Sequence, residues 1–332
     1  MSDFAQSGLI STFQRLNETH LAQIESELVE LAREKPIAIV LPCHGADLER
    51  PAFAHILGKL RAAAWVSEIV LSVNAAGDAD LVGIPEGVRV LRNDRSCESH
   101  AAHVPAGKGA NLHAAFQRLA SPAIIATQDC DVASFRRADL ARLCYAVAHP
   151  DLGYRFAKMY YSRVTDRLYG RVSRLFLAPL LHAVVRVAGH HPLVDFLLSF
   201  RYPLAGEIAL TRELAAQLPL ATGWNVEISH LCEVFRRVEP RDVCQVDGGT
   251  GYDHKHQPAT PALADMAAEI ARELFAQLAT EGLAGIRGAV AQAYPREAAH
   301  ALRRSAALAR INALPFDPEA ERAIVESFAA RL

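Results

Sequence analysis

No excess of either charge marks this chain. Across 332 residues, 35 Lys and Arg stand against 37 Asp and Glu, a formal net charge of -2, with no long run of one sign. That balance excludes a polyelectrolyte surface of the kind that holds nucleic acid or anionic membrane nonspecifically, so any phosphate recognition is local. The six cysteines, Cys43, Cys97, Cys130, Cys144, Cys232 and Cys244, form no CxxC pair and no Cys/His spacing suited to zinc. They read as reduced, buried small hydrophobes of a reducing compartment. Long apolar runs are also missing. The longest, Leu175 to Val185, contains Pro179 and His182 and stops at Arg186, well short of the ~20 residues a spanning helix needs. The first twenty residues lack the charged, apolar and small-residue regions of a signal peptide. A soluble, cytoplasmic protein is expected, with no internal repeat or low-complexity tract.

What is present is a hydrophobic fraction of 51% with 22% charged residues, enough for a sizeable core and incompatible with intrinsic disorder. Residues 8 to 34 place Leu9, Phe13, Leu16, Leu21, Ile24, Leu28 and Leu31 at helical spacing, and Pro36 ends that segment. Ile37-Ala-Ile-Val-Leu41 is short, continuously apolar and largely β-branched, the pattern of a strand buried on both faces of a parallel sheet. Alternation follows: a helix over 49–64, strands over 67–73 and 88–91, a helix over 109–119 and a strand over 123–127. Strands alternating with helices predict βαβ units and an α/β fold with a mostly parallel, Rossmann-like sheet. The second half predicts a strand near 154–161, a long apolar helix over 169–188, a loop at 201–207, a helix near 224–236 and a short strand near 242–246. Residues 260–332 have helical periodicity and suit a terminal appendage, an oligomer contact or a cover for the domain's own sheet. The expected division is an N-terminal helical extension (1–36), a catalytic domain (37–258, with donor half 37–135 and acceptor half 136–258) and a C-terminal helical extension (259–332).

In parallel sheets ligands gather at the carboxyl ends of the strands. Asp129-Cys130-Asp131 falls at such an end: two carboxylates one residue apart suit a divalent cation with positions left for a diphosphate, although such pairs also cap turns. In Pro105-Ala-Gly-Lys108-Gly-Ala-Asn111 a glycine-flanked lysine opens a predicted helix, an arrangement suited to phosphate or to a solvated turn; the P-loop spacing is absent. His254, in Gly251-Tyr-Asp-His254-Lys-His256-Gln-Pro258, offers an imidazole ligand or an ordinary polar loop. Lys158, Tyr161, Arg163, Arg167 and Arg171 follow the paired aspartates, and their arginines suit an anionic acceptor or a solvated face.

The order PxxG, GKG, DxD, GRVS, PLAGE, GWNVEI, DHKHQP, spread over roughly residues 37 to 258, resembles the retaining GT-A glycosyltransferases that make glucosyl-3-phosphoglycerate. It is more loosely similar to the mannosylglycerate synthases. The resemblance implies a GT-A fold and a metal-dependent, retaining transfer of glucose or mannose from a nucleoside-diphosphate sugar, with UDP-glucose favoured and Mg2+ or Mn2+ as cofactor. It implies donor contacts from Pro42, Cys43, His44, Asp47, Asn74, Lys108, Asp129 and Cys130, and a sugar pocket walled by Leu204, Ala205 and Gly206. Asp131 and His254 become the protein ligands of the metal. Gly170, Arg171, Val172 and Ser173, with His256 and Gln257, become the acceptor segment. Glu227 becomes the carboxylate beside the sugar, acting with Asp131 and Lys108 in catalysis.

Two positions depart from the family pattern. Its base loop carries an acid four residues after the proline, where this chain has Ala46, with Asp47 one residue later. Where the family follows its metal histidine with Asn-Arg, which help hold the acceptor phosphate, this chain has His256 and Gln257. The expected acceptor is therefore 3-phosphoglycerate or a related small hydroxy acid such as glycerate. The alternatives are a non-catalytic nucleotide-sugar-binding protein and a DxD phosphatase; the latter class places its DxD on the first strand with Thr or Val two residues on, where this chain has Ala133. A homodimer is expected, with no nucleic-acid or membrane partner.

Overall fold

The computed structural model describes residues 8–17, 20–93, 107–253 and 261–332. Among the described residues eight strands form one sheet: β1 (Ser11–Phe13), β2 (Ile37–His44), β3 (Val66–Asn74), β4 (Val88–Arg92), β5 (Ile124–Thr127), β6 (Phe156–Ser162), β7 (Ile208–Thr211) and β8 (Val243–Thr250). Their order is β1-β8-β6-β7-β5-β2-β3-β4. Every pairing is parallel except those of β7, which runs antiparallel to both β5 and β6. The chain moves outward from β2 through β3 to β4, then returns to lay β5 on the other side of β2. This reversal opens a crevice beyond the carboxyl ends of β2 and β5, the position where open α/β sheets bind ligands.

Helices flank the sheet: α1 (Leu21–Glu34), α2 (Pro51–Arg61), α3 (Asp78–Leu81), α4 (Lys108–Arg118), α5 (Arg137–Ala148), α6 (Ala178–Ala188), α7 (Pro192–Ser199), α8 (Arg212–Ala215), α9 (Val226–Arg237), α10 (Pro261–Thr280), α11 (Arg287–Ile311) and α12 (Pro318–Ala329). A π-helical turn, Val172–Leu177, leads into α6. Alternate residues of β2 enter different cores: Ala38 and Val40 on one side, Ile37, Ile39 and Leu41 on the other. Burial on both faces is the physical reason this strand carries no polar alternation.

Three expectations change. Residues 8 to 34 are not one helix: Ser11–Phe13 extend along β8, with Thr12 accepting a 3.1 Å hydrogen bond from Gln245, and the helix begins at Leu21. The exposed edge of β8 is a stronger partner for this short segment than a helix end. The helix predicted from 169 starts at Val172, because Gly170, with φ +68°, turns the chain first. The strand predicted near 242–246 continues to Thr250, because β6 pairs with it as far as Ser162.

The C-terminal helices cover the chain's own fold. Leu274, Leu278, Val290, Tyr294 and Phe328 share one core with Phe156, Phe176 and Leu180, and the Tyr294 hydroxyl donates to the Leu175 carbonyl at 2.8 Å. Among the described residues no helix is long and apolar enough to cross a membrane. The five described cysteines are free and buried; Cys97 lies outside the described residues.

Candidate active site

Lys108 is the hub of the crevice. As the first residue of α4 it sends its ammonium to Asp129, at 2.7 and 3.0 Å from the two carboxylate oxygens, and to Glu227 of α9, at 2.9 Å. These side chains are 11 to 21% exposed. Burial acts to lower the Lys108 pKa, but Asp129 and then Glu227 outweigh it and hold the ammonium well above the ordinary lysine range. The lysine comes so close because α4 enters over Gly109, where a β-carbon would lie 1.8 Å from the Ala221 carbonyl oxygen. A glycine there brings the helix N-terminus against the segment that leads into Glu227.

Asp131 faces the same crevice. Burial, reinforced by the Asp129 charge, raises its pKa to about 6. A carboxylate desolvated beside another carboxylate is a hard oxygen donor in need of positive charge, so this pair fits a divalent cation. Among the described residues no three metal-ligating side chains converge. His254, His256 and Gln257 lie outside the described residues. The chain just before them is nonetheless tied to the turn that follows the paired aspartates. Ala133 donates its N–H to the Asp253 carbonyl at 2.8 Å, and Asp253 donates its own N–H to the Ser134 hydroxyl at 2.7 Å.

The loop that follows β2 closes the other side. Pro42, Cys43 and His44 end β2 against Ser72, Val73 and the buried Asn74 of β3. The Asn111 amide donates to the Cys43 carbonyl at 3.0 Å and the Ser72 hydroxyl to the Asn111 carbonyl at 2.7 Å, fixing this loop to α4. His44 Nδ1 accepts from the Ala46 N–H at 3.2 Å, and Asp47 is paired with Arg50 at 2.7 Å. The Cys130 and Cys43 sulfurs meet at 3.3 Å beyond the carboxyl ends of β5 and β2.

Gly206 lies against Lys108 and Asp129, and it and Ala205, which follow Leu204, are held by their carbonyls. The buried Lys158 donates to the Ala205 oxygen at 2.6 Å, and the Thr127 hydroxyl to the Gly206 oxygen at 2.6 Å. Burial pulls the Lys158 pKa down to about 8. Glu207, in the sequence only a member of the PLAGE motif, gains its partners from the fold. This fully buried carboxylate accepts from the Tyr161 hydroxyl at 3.0 Å and from the Tyr252 hydroxyl, and the two tyrosine rings stack with centroids 3.6 Å apart. Burial, then Asp129, lifts its pKa to about 7. The PLAGE segment in the sequence was the available signal, but a buried partner set is invisible there.

Of the expected acceptor residues, Gly170 lies against the Tyr202 ring, Val172 is buried, and Ser173 sits in the π-helical turn. Arg171 is ion-paired with Glu321 of α12 at 3.0 Å. The structure thus brings Lys108 into contact with Asp129 and Glu227 beside Gly206, and of the Gly170–Ser173 segment it sets Gly170 against the Tyr202 ring.

No protein-family profile matches the chain. It is 33% identical to glucosyl-3-phosphoglycerate synthase of Persephonella marina over 99% of this chain and 88% of that protein. It is 28% identical to the enzyme of the same name from Methanococcoides burtonii over 71% of this chain and 63% of that protein. Among solved structures, glucosyl-3-phosphoglycerate synthase of Mycobacterium tuberculosis in complex with Mn2+, UDP and phosphoglyceric acid superposes with a TM-score of 0.64 at 23% identity, covering 80% of this chain and 86% of that one. The same enzyme with Mg2+ and UDP gives 0.64 at 24% identity, over 81% and 86%. The mostly parallel sheet with its antiparallel β7 is therefore a GT-A fold, and the chain belongs to the glucosyl-3-phosphoglycerate synthase family of glycosyltransferases.

Proposed function

We propose that the protein transfers glucose from UDP-glucose to 3-phosphoglycerate with retention of anomeric configuration, using Mg2+ or Mn2+ held by Asp131 and His254. The observation that carries this reading is the Lys108 ammonium bridging Asp129 and Glu227 at the Gly206 wall, in the crevice beyond the carboxyl ends of β2 and β5. The relatives named above are synthases of glucosyl-3-phosphoglycerate, and M. tuberculosis complexes contain UDP-glucose with Mn2+ and phosphoglyceric acid.

The chemistry divides among this chain's residues. Asp131 and His254 would hold the divalent cation, which would supply Lewis-acid stabilisation of the leaving diphosphate. Lys108, already desolvated and charged, adds a fixed cation to the same developing anion, the electrostatic preorganisation that lowers such barriers most. Pro42 to His44 and Asn74 border the nucleoside side, and Leu204 to Gly206 exclude water around the sugar. Glu227 is engaged by Lys108, which suits a carboxylate that orients sugar and acceptor hydroxyls rather than one that attacks the anomeric carbon. The acceptor hydroxyl then adds on the face from which UDP departs, and its proton passes to the leaving phosphate oxygen.

The test is a mass-spectrometric assay with Mg2+ that crosses UDP-glucose and GDP-mannose against 3-phosphoglycerate, glycerate and no acceptor. Glucosyl-3-phosphoglycerate from the first pair is the expected product. Product from glycerate alone would overturn the acceptor assignment, and a trapped glucosyl-Glu227 adduct would overturn the front-face path.

A further inference from the structure

Arg171 of the acceptor segment and Arg174 just beyond it converge on one carboxylate that comes from the far end of the chain. Glu321 of α12, 7% exposed, accepts from Arg171 Nε at 3.0 Å through one oxygen and from Arg174 Nη2 through the other. One carboxylate between two guanidiniums leaves a net positive charge. Arg174 is otherwise used within the fold, donating to the carbonyls of Tyr169 at 3.1 Å and Leu168 at 3.3 Å.

Arg171 is different. Among the described residues Glu321 is its one hydrogen-bonding partner, and it occupies Nε alone. The Nη1/Nη2 edge, the edge that pairs bidentately with a carboxylate or phosphate, is left open on a side chain that is 20% exposed. Gly170 beside it packs against Tyr202, two residues before the Leu204–Gly206 wall. A flexible arginine held by one nitrogen has lost most of the rotamer freedom that binding an anion would otherwise cost.

We propose that Glu321 is a positioning residue for the acceptor: by holding Nε of Arg171 it presents the open edge of that guanidinium as a preformed cradle for an anionic group of the acceptor. The C-terminal helices are then part of the specificity machinery as well as a cover for the core. This rests on the acceptor class proposed above.

The experiment compares wild type with Glu321→Gln, measuring KM for 3-phosphoglycerate, KM for UDP-glucose, kcat and Tm. Loss of one charge-assisted contact predicts a rise of about tenfold in acceptor KM, with donor KM within about twofold and kcat within about threefold. Acceptor KM unchanged, or both KM values moving together with a fall in Tm, would reduce Glu321 to a helix-docking ion pair and overturn the proposal. Should the Gln variant fail to fold, Glu321→Asp, which keeps the charge and shortens the reach, carries the same test with an expected rise of about threefold. An effect seen with 3-phosphoglycerate and absent with glycerate places the acceptor phosphate on Arg171; an effect with both places the carboxylate there. If the wild-type enzyme consumes another carboxylate acceptor, the proposed function is corrected. The split between acceptor and donor KM, read with that acceptor, then decides the role of Glu321.

Discussion

A β-carbon at position 206 would stand 2.3 Å from the Lys108 ammonium and within 2.6 Å of both Asp129 carboxylate oxygens, so the space beside Gly206 belongs to the Lys108–Asp129 pair. Gly206→Ala obliges the tips of two flexible side chains to move, a small cost to folding but a direct disruption of the charge arrangement. The expected outcome is a fall in kcat of about a hundredfold, the scale of losing one preorganised electrostatic contact, with Tm nearly unchanged. UDP release and a thermal melt read the two quantities. A variant with wild-type kcat would show that the wall does not shape the site.

Lys108→Met removes the cation shared by Asp129 and Glu227 and leaves two partly buried carboxylates without it. Breaking such a pair from one side costs about 3 kcal/mol. A metal-free denaturant titration should report a loss of that order, and turnover should fall below about a thousandth of wild type.

Asp131→Asn keeps the shape of the side chain and removes the hard donor. Calorimetric titration with Mn2+ should show affinity at least about tenfold weaker, and activity should not recover at saturating UDP-glucose. Unaltered Mn2+ affinity would move the metal away from Asp131.

His230 provides a pH test remote from the chemistry. It is buried between Phe116 and Phe156 with Nε2 making no hydrogen bond, and burial, aided by the Lys158 charge, holds its pKa down at about 3. The unfolded chain binds a proton at this residue below its ordinary value near 6.5, while the folded chain does not until about pH 3. Stability at this site is therefore complete above pH 6.5 and lost as pH falls toward 3. His230→Leu should flatten the dependence of unfolding free energy between pH 6 and 4 by about 1.4 kcal/mol per pH unit relative to wild type. Parallel pH profiles for the two proteins would disprove a neutral buried histidine.

Much of the region from β2 to β5 was readable because its signals are local. The run from Ile37 to Leu41 is apolar since both faces of β2 are covered, and that burial is the reason it reads as a parallel strand. Asp129, Lys108 and Glu227 were legible as motif members. Ser11–Phe13 read as helix, since a three-residue strand on an edge has too few residues to show a period of two, and the heptad-like leucines around it dominate the pattern.

By itself the sequence determined the alternation of strands and helices from β2 to β5, the strand-end placement of the paired aspartates and the family, because burial periodicity and closely spaced motifs are short-range properties of a chain. Only the tertiary structure decided that β7 inserts antiparallel between β5 and β6, that Glu207 is buried under two stacked tyrosines, and that Glu321 reaches Arg171 across 150 positions. Those contacts join residues whose local sequence carries no trace of one another. A charge neutralised by a distant partner looks in sequence like any solvated charge until packing removes the water.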